Sequence, residues 1–520
     1  MKKFLATKLK SWLRWNLSRN DLAACLASGI LLAAAYPPWN LSAAIFFALV
    51  PLWWRLRPGW RWDNAWLGFL TGFVFYALHL FWLRLVAPPG LALLVVFLSL
   101  IFGAQAAVAG FLSSYSFSIP ACAALWALVE YLRSLGVLSF AWGYMGHALY
   151  LCDSLRPYAY DFGVSGLSFF LAGVNFSLAA MIVYWTKRWT NRRLSFLSRE
   201  CCLPPHFFFT AFFGCAMIGI VFSPSSTEQN SAALSSSLRI ALIQGGVEQE
   251  EKESESGGDA LERYLKLSAD ALSFKPDLIV WPESAIVFPL NYETDLLKQI
   301  LDFIKQADVE LFAGTVYAEY DEKEKWKYWN RAVLLSPDTN LDLAEYPVKM
   351  DKVPSYDKMH LVPYGEWIPL GEYWPFYHIE TLIEEAGAGL FQRGENLTIF
   401  STRQGAAFAA AICFESTLAG QMREARRKGA DFFINITNDA WFERSAGLEQ
   451  HFLQSAFRAA ENRCYLARAA NTGITGVIGP TGKVLKTLPT QEPGVCTFEL
   501  PFAAKGKENP GLVSYRSRVQ

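Results

Sequence analysis

The pattern of apolar and polar positions divides the chain near residue 225. The first part holds seven long apolar segments, at roughly 21–37, 41–56, 65–86, 91–113, 119–132, 161–185 and 206–223. Several of them can cross a hydrocarbon core of about 30 Å as helices. Buried helices of a soluble protein are the alternative, but so many in succession would leave no polar face for water. The pattern therefore predicts a transmembrane domain of about seven helices over residues 1–223.

Lysine and arginine are unevenly distributed among the loops of this part. The arm before the first segment and the loops after the second and sixth segments are basic, whereas the loops between them carry few basic residues. Basic loops stay in the cytoplasm. The N-terminus is therefore expected inside. An odd number of crossings then puts everything after about residue 225 outside the cytoplasm.

The second part alternates strand-like and helix-like runs after a polar linker, 224–236. The predicted strands are 237–244, 277–283, 310–318, 331–337, 406–415, 431–439, 474–480, 483–489 and 494–500, and the predicted helices lie near 259–274, 292–307, 417–428 and 447–463. Apolar strands that alternate with helices indicate an α/β domain, here over 237–500. The strands that follow one another near its end favour a sandwich. The polar tail, 501–520, is expected to stay outside the cytoplasm.

Composition adds two exclusions. Hydrophobic residues make up 52% of the 520 residues and tryptophan occurs 19 times, which is typical of membrane proteins. The 47 basic and 47 acidic residues balance, so no net field favours a nucleic-acid partner. The histidines look isolated and the nine cysteines form no CxxC motif, so we expect no metal and no cofactor. Cys464 and Cys496 could pair, although nothing in their spacing requires it.

Chemically interesting residues follow strand-like runs or lie in the loops between them. "VWPES" places Glu283 after a buried strand, "YDKMHLVPYGE" places Lys358 and Glu366 in a long loop, and "AICFES" places Cys413 at a strand end. A carboxylate can take the proton of a thiol, and an ammonium can stabilise a thiolate and an oxyanion. Each residue alone has an ordinary structural explanation. Together they predict acyl transfer through a cysteine nucleophile.

The loop region 349–395 is long and aromatic, which is unusual within a compact domain. It is either a surface loop with a small core of its own or a segment that rests in the lipid interface.

The order of these motifs resembles the nitrilase superfamily of carbon–nitrogen hydrolases, and "NITNDAWF" (435–442) and "FRAAENRCYLARAANTGIT" (457–475) match it further. With the apolar segments and "EYLRSLGVLSFAWGYMGHAL" (130–149), nearly the whole chain resembles the apolipoprotein N-acyltransferase family of Gram-negative bacteria. The resemblance implies an inner-membrane enzyme whose αββα domain lies in the periplasm. The expected donor is a phospholipid, typically phosphatidylethanolamine. The expected acceptor is the α-amino group of the diacylglyceryl-cysteine of an apolipoprotein.

The resemblance also implies roles for individual residues. Glu283 would be the general base, Lys358 the oxyanion-stabilising lysine and Cys413 the acyl-carrying nucleophile. Glu366 and Glu415 match the supporting carboxylates. We further expect four aromatic residues of the loops to line a lipid access path, namely Trp367, Trp374, Trp441 and Phe442.

Two other functions stay open at this point. A membrane-anchored amidase or nitrilase-type hydrolase would use the same triad and pass the acyl group to water. A non-catalytic lipid-binding protein would keep the fold without the chemistry, and the intact triad argues against it.

Overall fold

The computed structural model describes residues 17–136, 139–190, 209, 236–247, 257–321, 325–363, 365–368 and 390–502. Most of the seventh apolar segment, nearly all of the linker, Trp374 and almost the entire C-terminal tail lie outside the described residues. The chain forms two compact units. The first comprises residues 1–135, 140–225 and 445–450, and the second comprises the rest.

The first unit is helical in its described part. Its α-helices are α1 Arg19–Ala34, α2 Val50–Arg55, α3 Trp62–His79, α4 Pro88–Leu112, α5 Ser118–Arg133 and α6 Ala159–Thr190. Ser18 caps α1 in a reciprocal arrangement with Asp21. By length and hydropathy, two stretches of the described residues could cross a membrane, Pro88–Leu112 and Arg156–Thr186.

Two of the seven apolar segments are not single helices. Segment 41–56 consists of a 3₁₀ turn, Ser42–Phe46, followed by α2, which starts afresh with a proline in its first turn. Segment 65–86 is helical in α3 and then continues as a 3₁₀ turn, Phe81–Leu85. The helical character of this part is therefore confirmed, and the count of seven crossings stays a prediction.

The second unit contains two sheets. The strands are β1 Ser236–Gln244, β2 Leu278–Val280, β3 Ile286–Pro289, β4 Glu310–Tyr320, β5 Trp326–Leu335, β6 Ser355–Asp357, β7 Ile399–Ser401, β8 Ala407–Ile412, β9 Phe432–Thr437, β10 Leu466–Ala470, β11 Gly476–Ile478, β12 Val484–Thr487 and β13 Gly494–Phe502. The first sheet has the order β13-β1-β2-β4-β5-β6, with β3 beside β4. The second has the order β12-β11-β10-β9-β8-β7. The strands β1, β2 and β4 are parallel to one another, as are β8, β9 and β10.

Alternate side chains of each strand point to opposite faces, and the central strands are buried on both. Phe312 of β4 and Phe408 of β8 belong to the same core, where their rings meet edge to face with centroids 5.1 Å apart. The two sheets therefore pack face to face, as the sandwich prediction requires.

Helices cover the outer faces of the sandwich. The first sheet packs against α7 Gly257–Ala271 and α8 Thr294–Ala307, and the second against α9 Ala419–Arg427 and α10 Ala446–Asn462. In α8 the buried residues follow the spacing of one helix face, namely Leu297, Ile300, Leu301 and Ile304. The layers are thus helix, sheet, sheet and helix.

Four short strands were not expected from the sequence, namely β3, β6, β7 and β10. β6 falls within the region that the sequence predicts as loop, where three residues pair with the long strand β5. β10 reads "LARAA", which is poor in the β-branched and aromatic residues that favour strands. Its position between β9 and β11 imposes the extended conformation.

Candidate active site

Three segments of the second unit deliver the predicted chemical groups. Glu283 lies three residues after β2, and Lys358 directly follows β6. Cys413 directly follows β8 and opens a short 3₁₀ helix, Cys413–Thr417. Cys413 has a φ of 52°, in the left-handed region that residues with a Cβ rarely adopt. The chain thus turns sharply at the end of a buried strand.

Glu283, Lys358 and Glu366 form a charged cluster. The Nζ of Lys358 lies 3.3 Å from Oε1 of Glu283 and donates a hydrogen bond of 2.7 Å to Oε1 of Glu366. The Lys358 side chain is 1% exposed. Burial alone would lower the pKa of Lys358, but the carboxylates of Glu283 and Glu366 raise it well above its usual value. The lysine is therefore held as a buried cation between two carboxylates.

The Cys413 thiol is protonated in the resting site. Burial and the nearby Glu283 carboxylate raise the pKa of the Cys413 thiol, and the Lys358 ammonium only partly opposes them. A thiol in this state is a weak nucleophile. Attack by this cysteine would therefore need a base that takes the thiol proton.

Asn330 and Asn438 orient Glu283 and were not singled out from the sequence. Asn330 of β5 donates from Nδ2 to Oε1 of Glu283 at 2.7 Å and to Oε1 of Glu366 at 3.1 Å. The backbone N–H of Asn438 donates to Oε2 of Glu283 at 2.8 Å. The signal that could have found Asn438 is its place directly after β9, a parallel neighbour of β8.

Glu415 lies close to the cysteine in sequence, but its described hydrogen bonds go to other groups. Its Oε1 accepts from the Tyr356 hydroxyl at 2.7 Å. The same oxygen accepts from the backbone N–H groups of Met359 and His360 at 2.8 and 3.0 Å. Its Oε2 accepts from the backbone N–H of Ile412 at 2.9 Å. This carboxylate therefore joins the segment that carries the lysine to the strand that carries the cysteine.

Hydrogen bonding also sets the ionisation of Glu415. Burial acts to raise the pKa of Glu415, but the hydrogen bonds from His360, Ile412 and Tyr356 outweigh it and lower the pKa below its usual value. Glu415 is thus an ionised carboxylate that its hydrogen bonds hold in place.

His451 is not isolated, contrary to the sequence prediction for the histidines. Ligand atoms of Cys413, Asp439 and His451 lie within 4.8 Å of one another, as in a group that could hold a metal ion. However, the guanidinium of Arg468 donates to Asp439 at 2.8 Å and lies 3.0 Å from Nδ1 of His451. A cation already occupies this corner of the site, so the arrangement disfavours a metal. Neither His451 nor Arg468 stands out in the sequence.

The aromatic residues expected along a lipid path are differently placed. Trp441 is 50% exposed. Trp367 is partly buried, and the guanidinium of Arg393 lies 4.2 Å from the centre of its ring. Phe442 meets the ring of His451 edge-on at 5.9 Å. The expected path therefore stays a prediction.

The two other cysteines of the second unit do not form the pair that the sequence left open. Cys464 and Cys496 are both free and buried. Burial raises the pKa of the Cys464 thiol to about 12, so this thiol is unreactive.

Comparison with known proteins covers both units. Residues 28–177 match the model of the apolipoprotein N-acyltransferase N-terminal domain, and residues 239–506 match the carbon–nitrogen hydrolase model. An apolipoprotein N-acyltransferase of Geobacter metallireducens is 31% identical over 93% of this chain and 90% of its own. One of Allorhizobium ampelinum is 28% identical over 93% and 91%.

Among solved structures, an amidase from Nesterenkonia sp. is 18% identical over 54% of this chain and 94% of its own, with a TM-score of 0.37. The assignment rests on the family models and on the relatives that span nearly the full length. The two family models match successive parts of this chain, the first within the helical unit and the second largely within the unit that contains the sandwich. The chain belongs to the apolipoprotein N-acyltransferase family.

Proposed function

We propose that this enzyme moves an acyl chain from a membrane phospholipid to the α-amino group of the N-terminal diacylglyceryl-cysteine of an apolipoprotein, through a thioester on Cys413. The observation that carries the proposal is the buried ammonium of Lys358 between Glu283 and Glu366, beside a cysteine at the end of β8. Burying ionisable groups costs free energy, which favours a catalytic reason for them.

The first half-reaction loads the cysteine. Glu283 takes the thiol proton, and the Cys413 sulfur attacks the carbonyl carbon of a phospholipid ester. The resulting oxyanion is stabilised by the Lys358 ammonium. The C–O bond then breaks, and the alcohol oxygen of the departing lysophospholipid takes the proton from Glu283. A thioester remains on Cys413.

The second half-reaction unloads the acyl chain. The neutral α-amino group of the apolipoprotein attacks the thioester carbonyl and gives a proton to Glu283, while Lys358 again faces the oxyanion. The C–S bond breaks, an amide forms, and the thiolate regains its proton from Glu283. Each half-reaction thus leaves Glu283 in the state in which it began.

Glu366 has a separate role in this scheme. When Glu283 is protonated, Lys358 loses one of its two negative partners. Glu366, 2.7 Å from Nζ, keeps the buried ammonium paired and its donors aimed in one direction. Lys358 therefore remains a cation throughout the cycle.

We place the protein in the bacterial inner membrane, with about seven crossings and the sandwich in the periplasm. The basic arm and loops support this orientation. Phosphatidylethanolamine is the proposed donor. The half-exposed Trp441, with Trp367, Phe442 and Trp374, is proposed to guide its acyl chain.

The test gives the purified full-length enzyme phosphatidylethanolamine in mixed micelles without acceptor, and measures the intact mass. We expect one acyl chain on the wild type, removable by hydroxylamine, and none on Cys413→Ala. Cys464→Ala, which also loses a buried thiol of the sandwich, should be acylated normally. Glu283→Gln should be acylated about 10²–10⁴-fold more slowly.

The acceptor decides between transferase and hydrolase. A peptide that begins with diacylglyceryl-cysteine should discharge the thioester to an amide, and the same peptide with an acetylated α-amino group should not. Rapid release of free fatty acid without any acceptor would refute the transferase and favour the membrane-anchored hydrolase.

A further inference from the structure

The carbonyl oxygen of Cys413 is held by three different side chains. It lies 3.0 Å from Oγ of Ser416, 3.2 Å from Nε2 of His451 and 3.5 Å from Nδ2 of Asn435. A backbone carbonyl has two lone pairs, so a convergence of three donors needs a reason. The reason lies in the φ of 52° at Cys413, a strained conformation that persists only where the surroundings hold it.

His451 can serve this carbonyl only when Nε2 carries a proton. The Cys413 carbonyl can only accept, so Nε2 must donate to it. Nδ1 lies 3.0 Å both from Nη2 of Arg468, which can only donate, and from Oδ1 of Asp439, which can only accept. The contacts of Nδ1 thus suit either state of that nitrogen, and the Cys413 carbonyl places the proton of the ring on Nε2. Burial and the Arg468 charge lower the pKa of His451, which agrees with a neutral ring.

The remaining partners fix Arg468 in turn. Its Nη2 donates to Oδ2 of Asp439, and its Nη1 donates to Oδ1 of Asn435. Asp439 also accepts from the Thr437 hydroxyl at 2.9 Å, and its Oδ1 lies 3.0 Å from Nδ1 of His451. The guanidinium thus donates to the Asp439 carboxylate, and both groups contact Nδ1 of His451. The chain of contacts runs from a buried ion pair to the backbone of the cysteine.

We propose that His451 is a positioning residue whose Nε2–H, with Ser416 and Asn435, locks Cys413 in its left-handed conformation and aims the thiol at the charged cluster. The inference rests on the proposed role of Cys413 as nucleophile. The alternative is that His451 itself acts as the base that takes the thiol proton, with its Nδ1 hydrogen-bonded to Asp439. Nε2 faces the carbonyl oxygen, which favours positioning.

The experiment measures two properties of Cys413 in the full-length enzyme. One is the single-turnover rate of acylation by phosphatidylethanolamine, which needs a correctly aimed thiol. The other is the pH dependence of alkylation by iodoacetamide, which reports ionisation of the thiol rather than its aim. Thermal unfolding is followed for every variant. If the wild type itself is not acylated, the proposed function fails, and the result is distinguishable from a failure confined to His451.

Positioning predicts a split between the two readouts. His451→Ala should slow acylation about 100-fold, since a shift of about 1 Å at a reacting atom has this effect. The midpoint of its alkylation profile should stay within about 0.3 pH units of the wild type, because the charges that set the thiol pKa remain. His451→Gln should restore the acylation rate to within about tenfold of the wild-type rate, because a glutamine amide can donate to the same carbonyl.

Two further variants control for damage to the fold. Gln454→Ala truncates another buried side chain of α10, one without a described hydrogen bond to the Cys413 carbonyl, and should leave acylation within about twofold. Ser416→Ala removes another donor to the same oxygen and should slow acylation about three- to tenfold. The proposal therefore stays testable if His451→Ala does not fold.

Three results would overturn the proposal. One is an alkylation midpoint that moves by about a full pH unit while His451→Gln is as slow as His451→Ala, since His451 would then act as the base. Another is acylation within about threefold of the wild type in both His451→Ala and Ser416→Ala, or in Ser416→Ala alone if His451→Ala does not fold. The last is a loss of acylation rate in Gln454→Ala that equals the loss in His451→Ala.

Discussion

Glu415 illustrates how a carboxylate beside a cysteine can hold a site together through the surrounding chain. Its four described hydrogen bonds connect the segment 356–360 with Ile412. Lys358 lies within that segment, and Cys413 follows Ile412. One ionised side chain thus ties the strand that carries the thiol to the segment that carries the cation.

Replacing Glu415 with glutamine should destabilise the protein by about 1–3 kcal/mol, because an amide N–H₂ would face buried donors. The pKa of Glu415 is lowered on folding, so its ionised form stabilises the folded state above the unfolded value of about 4.3. This stabilisation is lost as the pH falls through the lower folded value.

The melting-temperature gap between wild type and Glu415→Gln should therefore be constant above about pH 5.5 and narrow below about pH 4. Thermal unfolding of both proteins across this range is the measurement. A gap that persists unchanged to about pH 3 would contradict an origin in the ionised carboxylate.

The residues of the site differ in how far the sequence reveals them. Glu283 and Cys413 were recognisable because each lies at or near the end of a predicted strand, where sites collect in α/β sheets. Lys358 lies in a predicted loop, and it was recognisable through the motif around it. Asn330 lies within β5, and Arg468 lies within β10. Nothing local shows which partner each of these two polar residues meets. Their roles depend on pairing between strands far apart in the chain.

At the scale of elements, β4 fixes where Glu283 stands. A Cβ at Gly314 of β4 would lie 2.6 Å from the Pro282 oxygen and 2.7 Å from Cα of Glu283. Contacts this short cannot form without a shift of the backbone that carries the proposed base. The absence of a side chain at Gly314 thus lets the loop after β2 pack directly on β4.

Gly314→Ala should therefore slow acylation of Cys413 by about 10²-fold, through displacement of Glu283. The matched control is Gly420→Ala in α9, where a Cβ would meet nothing within 4 Å. That change should leave acylation unaltered and stabilise the fold by about 0.4–1 kcal/mol. Single-turnover acylation and thermal unfolding of both variants are the measurements. Equal acylation rates and equal stabilities of Gly314→Ala and Gly420→Ala would show that close packing at Gly314 does not position Glu283.

Elements with strong periodicity were well predicted, and short ones were not. The strands predicted at 237–244 and 310–318 and the helix at 292–307 are confirmed. β6 has three residues, and it is a strand only because β5 offers it a partner. Hydrogen bonds to a distant strand, rather than the residues of β6 themselves, define it. This explains why the aromatic region was expected to be loop throughout.

At the scale of the whole molecule, some of the basic residues that are expected to set the orientation also stabilise the helical unit. Arg55 and Arg57 pair with the buried Asp21, at 2.6 and 3.1 Å, so part of the charge after the second segment stabilises the helical unit. These two residues are therefore weaker indicators of orientation than a count of basic residues suggests. The expected orientation therefore depends mainly on the charge of the N-terminal arm and of the loop after the sixth segment.

This distinction leads to a prediction about topology. Alkaline phosphatase, active only outside the cytoplasm, and green fluorescent protein, fluorescent only inside, are fused separately after residue 200 and after residue 230. We expect fluorescence without phosphatase activity at 200 and the reverse at 230, because the seventh apolar segment lies between the two positions. The same reporter active at both positions would mean that residues 206–223 do not cross the membrane.

Charge variants separate the expected effect of the basic residues on orientation from their effect on stability. Neutral replacement of the four lysines of the arm should give a mixture of phosphatase activity and fluorescence at each fusion position, since we expect the positive charge of the arm to hold the N-terminus inside. These are Lys2, Lys3, Lys8 and Lys10. The double variant Arg55→Gln with Arg57→Gln should instead lower the amount of folded protein, because those arginines pair with Asp21. The protein that still folds should show the same reporter activities as the wild type at both fusion positions. If only the arginine variant exchanged the reporter activities of the two fusion positions, orientation rather than stability would depend on that loop.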